Sequence, residues 1–187
     1  MRRREQTNGH REGEVLKGLA AGIIGGLVAS WVMEEFQAGW TKVSETPLES
    51  GEKGSSGHDD EQGEVIQQEP ATVKAAEAIS EGVFGHELKQ SEKEIAGPAV
   101  HYVLGASVGG LYGAVAEVVP EVKIGAGLPF GAVFWLVVDE AAVPLLGLSK
   151  GPTEYPLSTH GYALASHLVY GLTTDIVRRA LRKTILS

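Results

Sequence analysis

The chain has 187 residues, no cysteine and a formal charge of −8, with 24 acidic against 16 basic side chains. Without cysteine, disulfides and thiolate-ligated metals are excluded, and the acidic balance argues against nucleic acid, whose phosphates need clustered Lys and Arg. No CxxC, P-loop or GxSxG pattern is present, so no catalytic residue, metal ligand or cofactor is assigned. The near-zero mean hydropathy averages one very polar insert with a strongly hydrophobic remainder.

Residues 1–14 form a basic segment with Arg2, Arg3, Arg4 and Arg11, followed by Lys17 at the start of an apolar run. That run predicts a first transmembrane helix over 15–40, its apolar centre at 18–33 completed by flanks that include Glu34. A cleaved secretory signal is the alternative for this segment, with small residues at Ala29 and Ser30, but Trp31, Val32 and Met33 carry the apolar run past such a site. Residues 41–69 read as a flexible acidic insert, dense in Glu, Gly, Ser and Gln.

An amphipathic extramembrane helix is predicted over 70–94. Pro70 opens it, and Val73, Ala76, Ile79, Val83 and Phe84 fall on one side, opposite Lys74 and Glu81. Three placements stay open: on the membrane surface, over the outer end of the bundle, or without specific contact.

A second transmembrane helix follows over 95–119. Its stretch 95–116 contains no Asp, Glu, Lys or Arg, and at about 1.5 Å per residue it is long enough to cross roughly 30 Å of hydrocarbon. The third is predicted over 123–148 and contains Pro129 and Pro144, which should kink it and free the carbonyls of Gly125 and Glu140. The fourth spans 154–177 around the uncharged run 155–174, and residues 178–187 close the chain with Arg178, Arg179, Arg182 and Lys183. Basic residues before the first span and after the last put both termini in the cytoplasm, which requires an even number of crossings. The fold class expected is therefore all-α: an integral membrane four-helix bundle with an amphipathic extramembrane helix in a long, partly disordered first loop. A soluble helical protein with buried core helices is the bland alternative.

Two patterns stand out on these helices. Gly18, Gly22 and Gly26 recur at steps of four on the first span, as do Gly105, Gly109 and Gly113 on the second; Gly127 and Gly131 make a shorter row on the third. Such rows let backbones approach closely, inside one subunit or across a homo-oligomer or partner interface. The second pattern is a ladder of ionisable groups: Glu34, His101, Asp139, Glu140 and His160 toward the outer end, His167 near mid-membrane, and Glu117 and Asp175 toward the cytoplasmic end. Intramembrane carboxylates and imidazoles point to proton or ion handling, or to pairing and capping that orients helices. Asp175 stands three and four residues before Arg178 and Arg179, the spacing of a local ion pair. Convergence of His101, His160, Asp139 and Glu140 on a metal is a further alternative that the spacing does not demand.

From Tyr112 onward the sequence resembles the YagU-like family of bacterial inner-membrane proteins, whose shared domain is one of unknown function. The resemblance is carried by Tyr112, Ala116-Glu117-Val118 with Pro120 and Lys123, Gly127, Gly131 and Ala132, Pro144-Leu145 with Gly147-Leu148, His167, and Asp175-Ile176 with Arg178, Arg179, Leu181 and Arg182. It does not extend to the acidic insert or to Asp139. It implies a bacterial inner-membrane location and a four-span bundle, and it supplies no reaction. The function expected is that of a non-enzymatic inner-membrane protein in contact with the lipid bilayer, linked to proton or cation movement or to envelope or acid stress. The alternatives are a structural or accessory subunit bound to another membrane protein, and a metal-dependent membrane enzyme.

Overall fold

A computed structural model describes residues 2–45 and 69–184, with side chains described over 11–43 and 69–184. The expected flexible insert falls largely on 46–68, outside the described residues, as does the extreme C-terminus. Among the described residues the elements are helical and no strand occurs: α1 (Arg2–Glu45), α2 (Ala71–Ile79) continued by a π turn (Ser80–Phe84), α3 (Gln90–Val118), a 3-10 turn (Pro120–Lys123), α4 (Leu128–Val137) continued by a second π turn (Val138–Ala142) and a last turn (Val143–Leu145), a 3-10 turn (Pro152–Glu154), and α5 (Leu157–Thr184). The chain divides into two compact units, residues 1–37 with 101–187 and residues 38–100.

The first unit is held by close helix contacts at small residues. Along the α1–α3 seam the rows run in opposite directions: Gly18 faces Gly113, Gly22 lies between Gly109 and Gly113, and Gly26 meets Gly105. A methyl group at Gly109 would stand 2.6 Å from the Gly22 carbonyl oxygen and 2.8 Å from the Gly26 Cα, so only hydrogen fits there. The second seam joins α4 to α5, where a Cβ at Gly171 would lie 2.7 Å from the Gly131 nitrogen and 2.8 Å from its Cα. Gly25 connects the two pairs, since a Cβ there would lie 2.8 Å from the Thr174 carbonyl oxygen. Close approach matters because apolar side chains gain little by exchanging lipid for protein, so packing and interhelical hydrogen bonds supply the cohesion.

Between the seams sits an aromatic core. Phe134 and Tyr170 are buried with Ala29 and Met33, and Val108, Phe130 and Val138 pack around them. Phe130 stacks on Tyr112 at 4.3 Å, and the Tyr170 hydroxyl donates to the Gly105 carbonyl at 2.6 Å. That bond ties α5 to the backbone of α3 at the small-residue seam, where a Cβ on residue 105 would run into Ser30 of α1.

The prolines behave differently from the kinks expected of them. Pro129 stands in the first turn of α4, where its missing N–H has no helical partner to lose. The Gly125 carbonyl is not freed, because it accepts from the Leu128 N–H at 3.0 Å. Gly127 caps this start with φ +84°, a left-handed conformation that glycine adopts without steric cost. Pro144 instead follows the π turn Val138–Ala142, whose wider hydrogen bonding, with the Val143 N–H on the Val138 carbonyl, adjusts the helix before the proline. A further proline, Pro98, lies inside α3, which runs on through it.

Among the described residues, three helices are long and apolar enough to cross a membrane: Arg11–Val43, Gln90–Val118 and Leu128–Leu145. The fourth, α5, has 28 residues and ample length, but Ser158, Thr159, His160, Ser166, His167, Thr173 and Thr174 make its uncharged run too polar to join them.

The second unit corrects the single helix expected over 70–94. Gly85, with φ +63°, stops it: the Gly85 and His86 N–H groups return to the carbonyls of Glu81 and Ser80 at 3.1 and 3.3 Å. Residues 90–94 belong to α3, whose first turn is capped by the Glu92 carboxylate accepting from the Lys89 N–H at 2.7 Å. Lys93 pairs with Glu77 and, at 3.1 Å, with Glu69. Of the expected apolar face Ala76 is buried, whereas Ile79, Val83 and Phe84 are exposed.

Candidate functional site

The ionisable residues of the first unit gather at two ends of the helices, and the two ends use different chemistry. At one end, α5 presents Asp175, Arg178, Arg179 and Arg182 on successive turns, spaced so that the first carboxylate meets the next two guanidiniums. Asp175, fully buried, takes Arg178 at 3.1 Å and Arg179 at 2.7 Å. Arg178, also buried, reaches across to Glu117 of α3 at 3.3 Å, and Arg182 reaches the same carboxylate at 3.0 Å. Arg182 also binds Glu14 of α1, which in turn takes Lys17 at 3.2 Å. The Arg178 guanidinium lies 5.7 Å from the centre of the Tyr112 ring. Three helices are thus joined through Arg182, which binds Glu14 of α1 and Glu117 of α3, and each buried charge has an opposite neighbour, as burial in low dielectric requires.

At the other end the partners of the carboxylates are histidines. His101 of α3 stands 3.9 Å from Glu34 of α1, a contact too long for a hydrogen bond, and Glu34 is held instead by the Tyr102 hydroxyl at 2.6 Å. His167 of α5 has Nδ1 at 2.9 Å from the Ala163 carbonyl and 3.6 Å from Asp139 of the π turn. Since a carbonyl can only accept, Nδ1 carries the proton. The tightest pair is His160 with Glu140, at 2.6 Å through Nδ1, while Nε2 lies 2.9 Å from the Pro152 carbonyl. Nε2 must donate to that carbonyl, so the short contact on Nδ1 holds a proton shared between imidazole and carboxyl. Each of the three pairs joins two different helical segments.

The two ends are separated by the aromatic layer. From Ser166 to Asp175 the buried hydroxyls of Ser166, Tyr170 and Thr174 all donate to backbone carbonyls, those of Tyr162, Gly105 and Tyr170. Their protons are committed locally, and the ladder divides into two clusters. The four residues weighed as a metal site divide as well, His101 with Glu34 and His160 with Glu140. Among the described residues no three His, Asp or Glu side chains come together in a way that could hold a metal ion.

Sequence alone does not single out Tyr102, Tyr170 or Glu14, and it marks Tyr112 and Arg182 only through the family resemblance and the basic end, not as members of these clusters. For Arg182 a signal existed, since it follows Asp175 by seven residues and Arg178 by four, on the same helix face. Ser30 is buried with its hydroxyl unpartnered among the described residues, lying against Gly105.

Together, the all-helical architecture, the apolar helices and the charges confined to helix ends define a helical membrane-protein class. Residues 85–176 match the family described as "Protein of unknown function (DUF1440)". This segment holds α3, α4 and most of α5, with Glu117, Asp139, Glu140, His160, His167 and Asp175; it excludes α1 and the arginines that follow. The inner membrane protein YagU of Escherichia coli (strain K12) is 36% identical over 74 residues, covering 40% of this chain and 36% of that relative. The matched part thus spans about a third of the relative's length. No solved structure matches. These two findings support placing the chain in a YagU-like family, and the relative and the apolar helices support a membrane location.

Proposed function

We propose that this is a non-enzymatic inner-membrane protein crossing the bilayer four times, termini in the cytoplasm, whose histidine end responds to proton concentration outside. α5 completes the count as the most polar span, shielded by α1, α3 and α4, with its arginines at the basic, cytoplasmic side. The observation that carries the reading is the pairing of His101, His160 and His167 with Glu34, Glu140 and Asp139 across helices, all at one end. An imidazole ordinarily titrates near pH 6.5 and a carboxyl near 4, roughly. An imidazole that gains a proton beside a carboxylate draws the two helical segments together, whereas the arginine end carries the same charge throughout. This makes a device for envelope acid stress: acidification closes the outer end while the inner end stays fixed. The closed aromatic layer favours this reading over steady proton conduction.

The test is the distance between spin labels at two outer positions, one on α1 and one on α4, in liposomes, read from pH 7.5 to 5. The unaltered protein should tighten as pH falls, and a variant with His101, His160 and His167 all changed to Gln should not respond. A proton leak through liposomes that disappears in Asp139→Asn or His167→Ala, with no change in label distance, would replace sensing by conduction.

A further inference from the structure

A cleft of about 580 Å³ runs between α3 and α4 on the face of the first unit that would meet lipid. Its walls are Leu111 and Val115 of α3, Val133 and Val137 of α4, and Val122 and Ile124 from the connecting turn, with the stacked Tyr112 and Phe130 rings between them. Leu111, Val133, Val137 and Ile124 are each more than half exposed. Both helices are apolar enough to span, so the cleft lies along hydrocarbon and its apolar lining suits an acyl chain.

The end of the cleft at the connecting turn is charged, and its charges are not spent. Glu121 lines it, and Lys123 follows two residues later. Neither the Glu121 carboxylate nor the Lys123 ammonium has a hydrogen bond or ion pair among the described residues, although the Lys123 carbonyl accepts from Arg179 at 2.8 Å. Arg179 is itself neutralised by Asp175. The mouth therefore presents one free anion, Glu121, and the same four-residue turn ends on a free cation, Lys123, at the level where an interfacial headgroup sits above its chain.

We propose that this cleft binds one phospholipid with a primary-amine headgroup: an acyl chain along α3 and α4, the phosphate on Lys123, and the headgroup ammonium on Glu121. The paired charges decide the class. An anionic headgroup without an amine would satisfy Lys123 and be repelled by Glu121, while a trimethylated amine would bring charge to Glu121 without an N–H donor. The proposal shares with the pH-response reading only the membrane placement, and no histidine takes part in it.

Native mass spectrometry of the full chain in detergent, titrated with phosphatidylethanolamine, phosphatidylglycerol and phosphatidylcholine of identical acyl chains, tests it. One phosphatidylethanolamine per chain is expected, held roughly fivefold more tightly than the other two, about what one interfacial charge contributes. Val133→Trp, which fills the cleft from an exposed position, should weaken all three roughly tenfold, and Glu121→Lys should reverse the preference toward phosphatidylglycerol. Equal retention of the three headgroups, or undiminished retention by Val133→Trp, overturns the proposal. Should the tryptophan variant fail to fold, a benzophenone side chain at Leu111 decides: crosslinks to phosphatidylethanolamine uphold the site, and crosslinks to a second copy of the chain overturn it.

Discussion

The two ends of the helical unit solve the same problem with different bases. At the arginine end, two carboxylates are shared among three guanidiniums, and Asp175, Glu117 and Arg178 are largely or wholly withdrawn from solvent. At the histidine end, three carboxylates meet three imidazoles one to one, and the groups are more exposed, with Asp139 and Glu34 at 35% and 41% side-chain accessibility. A guanidinium keeps its charge at every pH a cell meets, whereas an imidazole does not. The lesson is that one bundle can clamp its helices with two kinds of base, guanidinium at one end and imidazole at the other, on the same helical framework.

The largest test of that difference is removal of a shared anion. Asp175→Ala leaves Arg178 buried beside a single remaining partner, and a loss of roughly 3–5 kcal/mol in detergent unfolding is expected, the cost of breaking a buried pair. A loss below that of an ordinary surface pair would mean that water reaches this end. Next comes the seam on which both clamps depend. Gly109→Ile forces a side chain into the Gly22 backbone and should cost about 3 kcal/mol, at the upper end of overpacking effects, seen as early unfolding and loss of α1–α3 crosslinks. A smaller change separates the ends by pH: His160→Gln should lower stability by about 1.5 kcal/mol near pH 5.5, the worth of a charge-assisted hydrogen bond, and much less at pH 8. Asp175→Ala should cost the same at both values. If both variants show the same pH profile, the contrast between clamps fails.

The smallest effect lies in the second unit and serves as a control. The Lys93 ammonium beside Glu77 holds that carboxyl below its usual 4.5. A lowered carboxylate pKa adds stability above the unfolded value that is lost as pH falls through the folded one. Amide protection over 71–84 should therefore fade only below pH 4.5, and Glu77→Gln should abolish that dependence.

How much of this was readable beforehand differs by residue. Helical character followed from long uncharged runs such as 95–116, but the number of crossings did not, because α5 is polar for reasons of pairing that appear only when its neighbours are in place. The glycine rows are visible as rows; that Gly22 lies between Gly109 and Gly113 is a matter of register between antiparallel helices, which periodicity on one helix does not fix. Local spacing identifies Asp175 with its two arginines, whereas Glu14 and Arg182 are 168 positions apart and share a level only through the lengths of three helices. Proline marks where a helix must change but not how: Pro129 begins one, and Pro144 is preceded by a π turn. Gly85 could have been read as a stop, since a glycine after an apolar periodic run favours the left-handed end of a helix.

The π turn has a further consequence for the histidine end. Asp139 and Glu140 are consecutive, yet their imidazoles sit seven positions apart on α5, about 10 Å along its axis. Two neighbouring acids span that distance because the loosened turn lets them diverge while their side chains differ by one methylene. Excising a single residue between 138 and 142 would restore regular winding and rotate one acid away from its base. The wiring of the histidine end thus hangs on one surplus peptide unit, and chains with a regular helix there would be limited to a single imidazole contact from this pair.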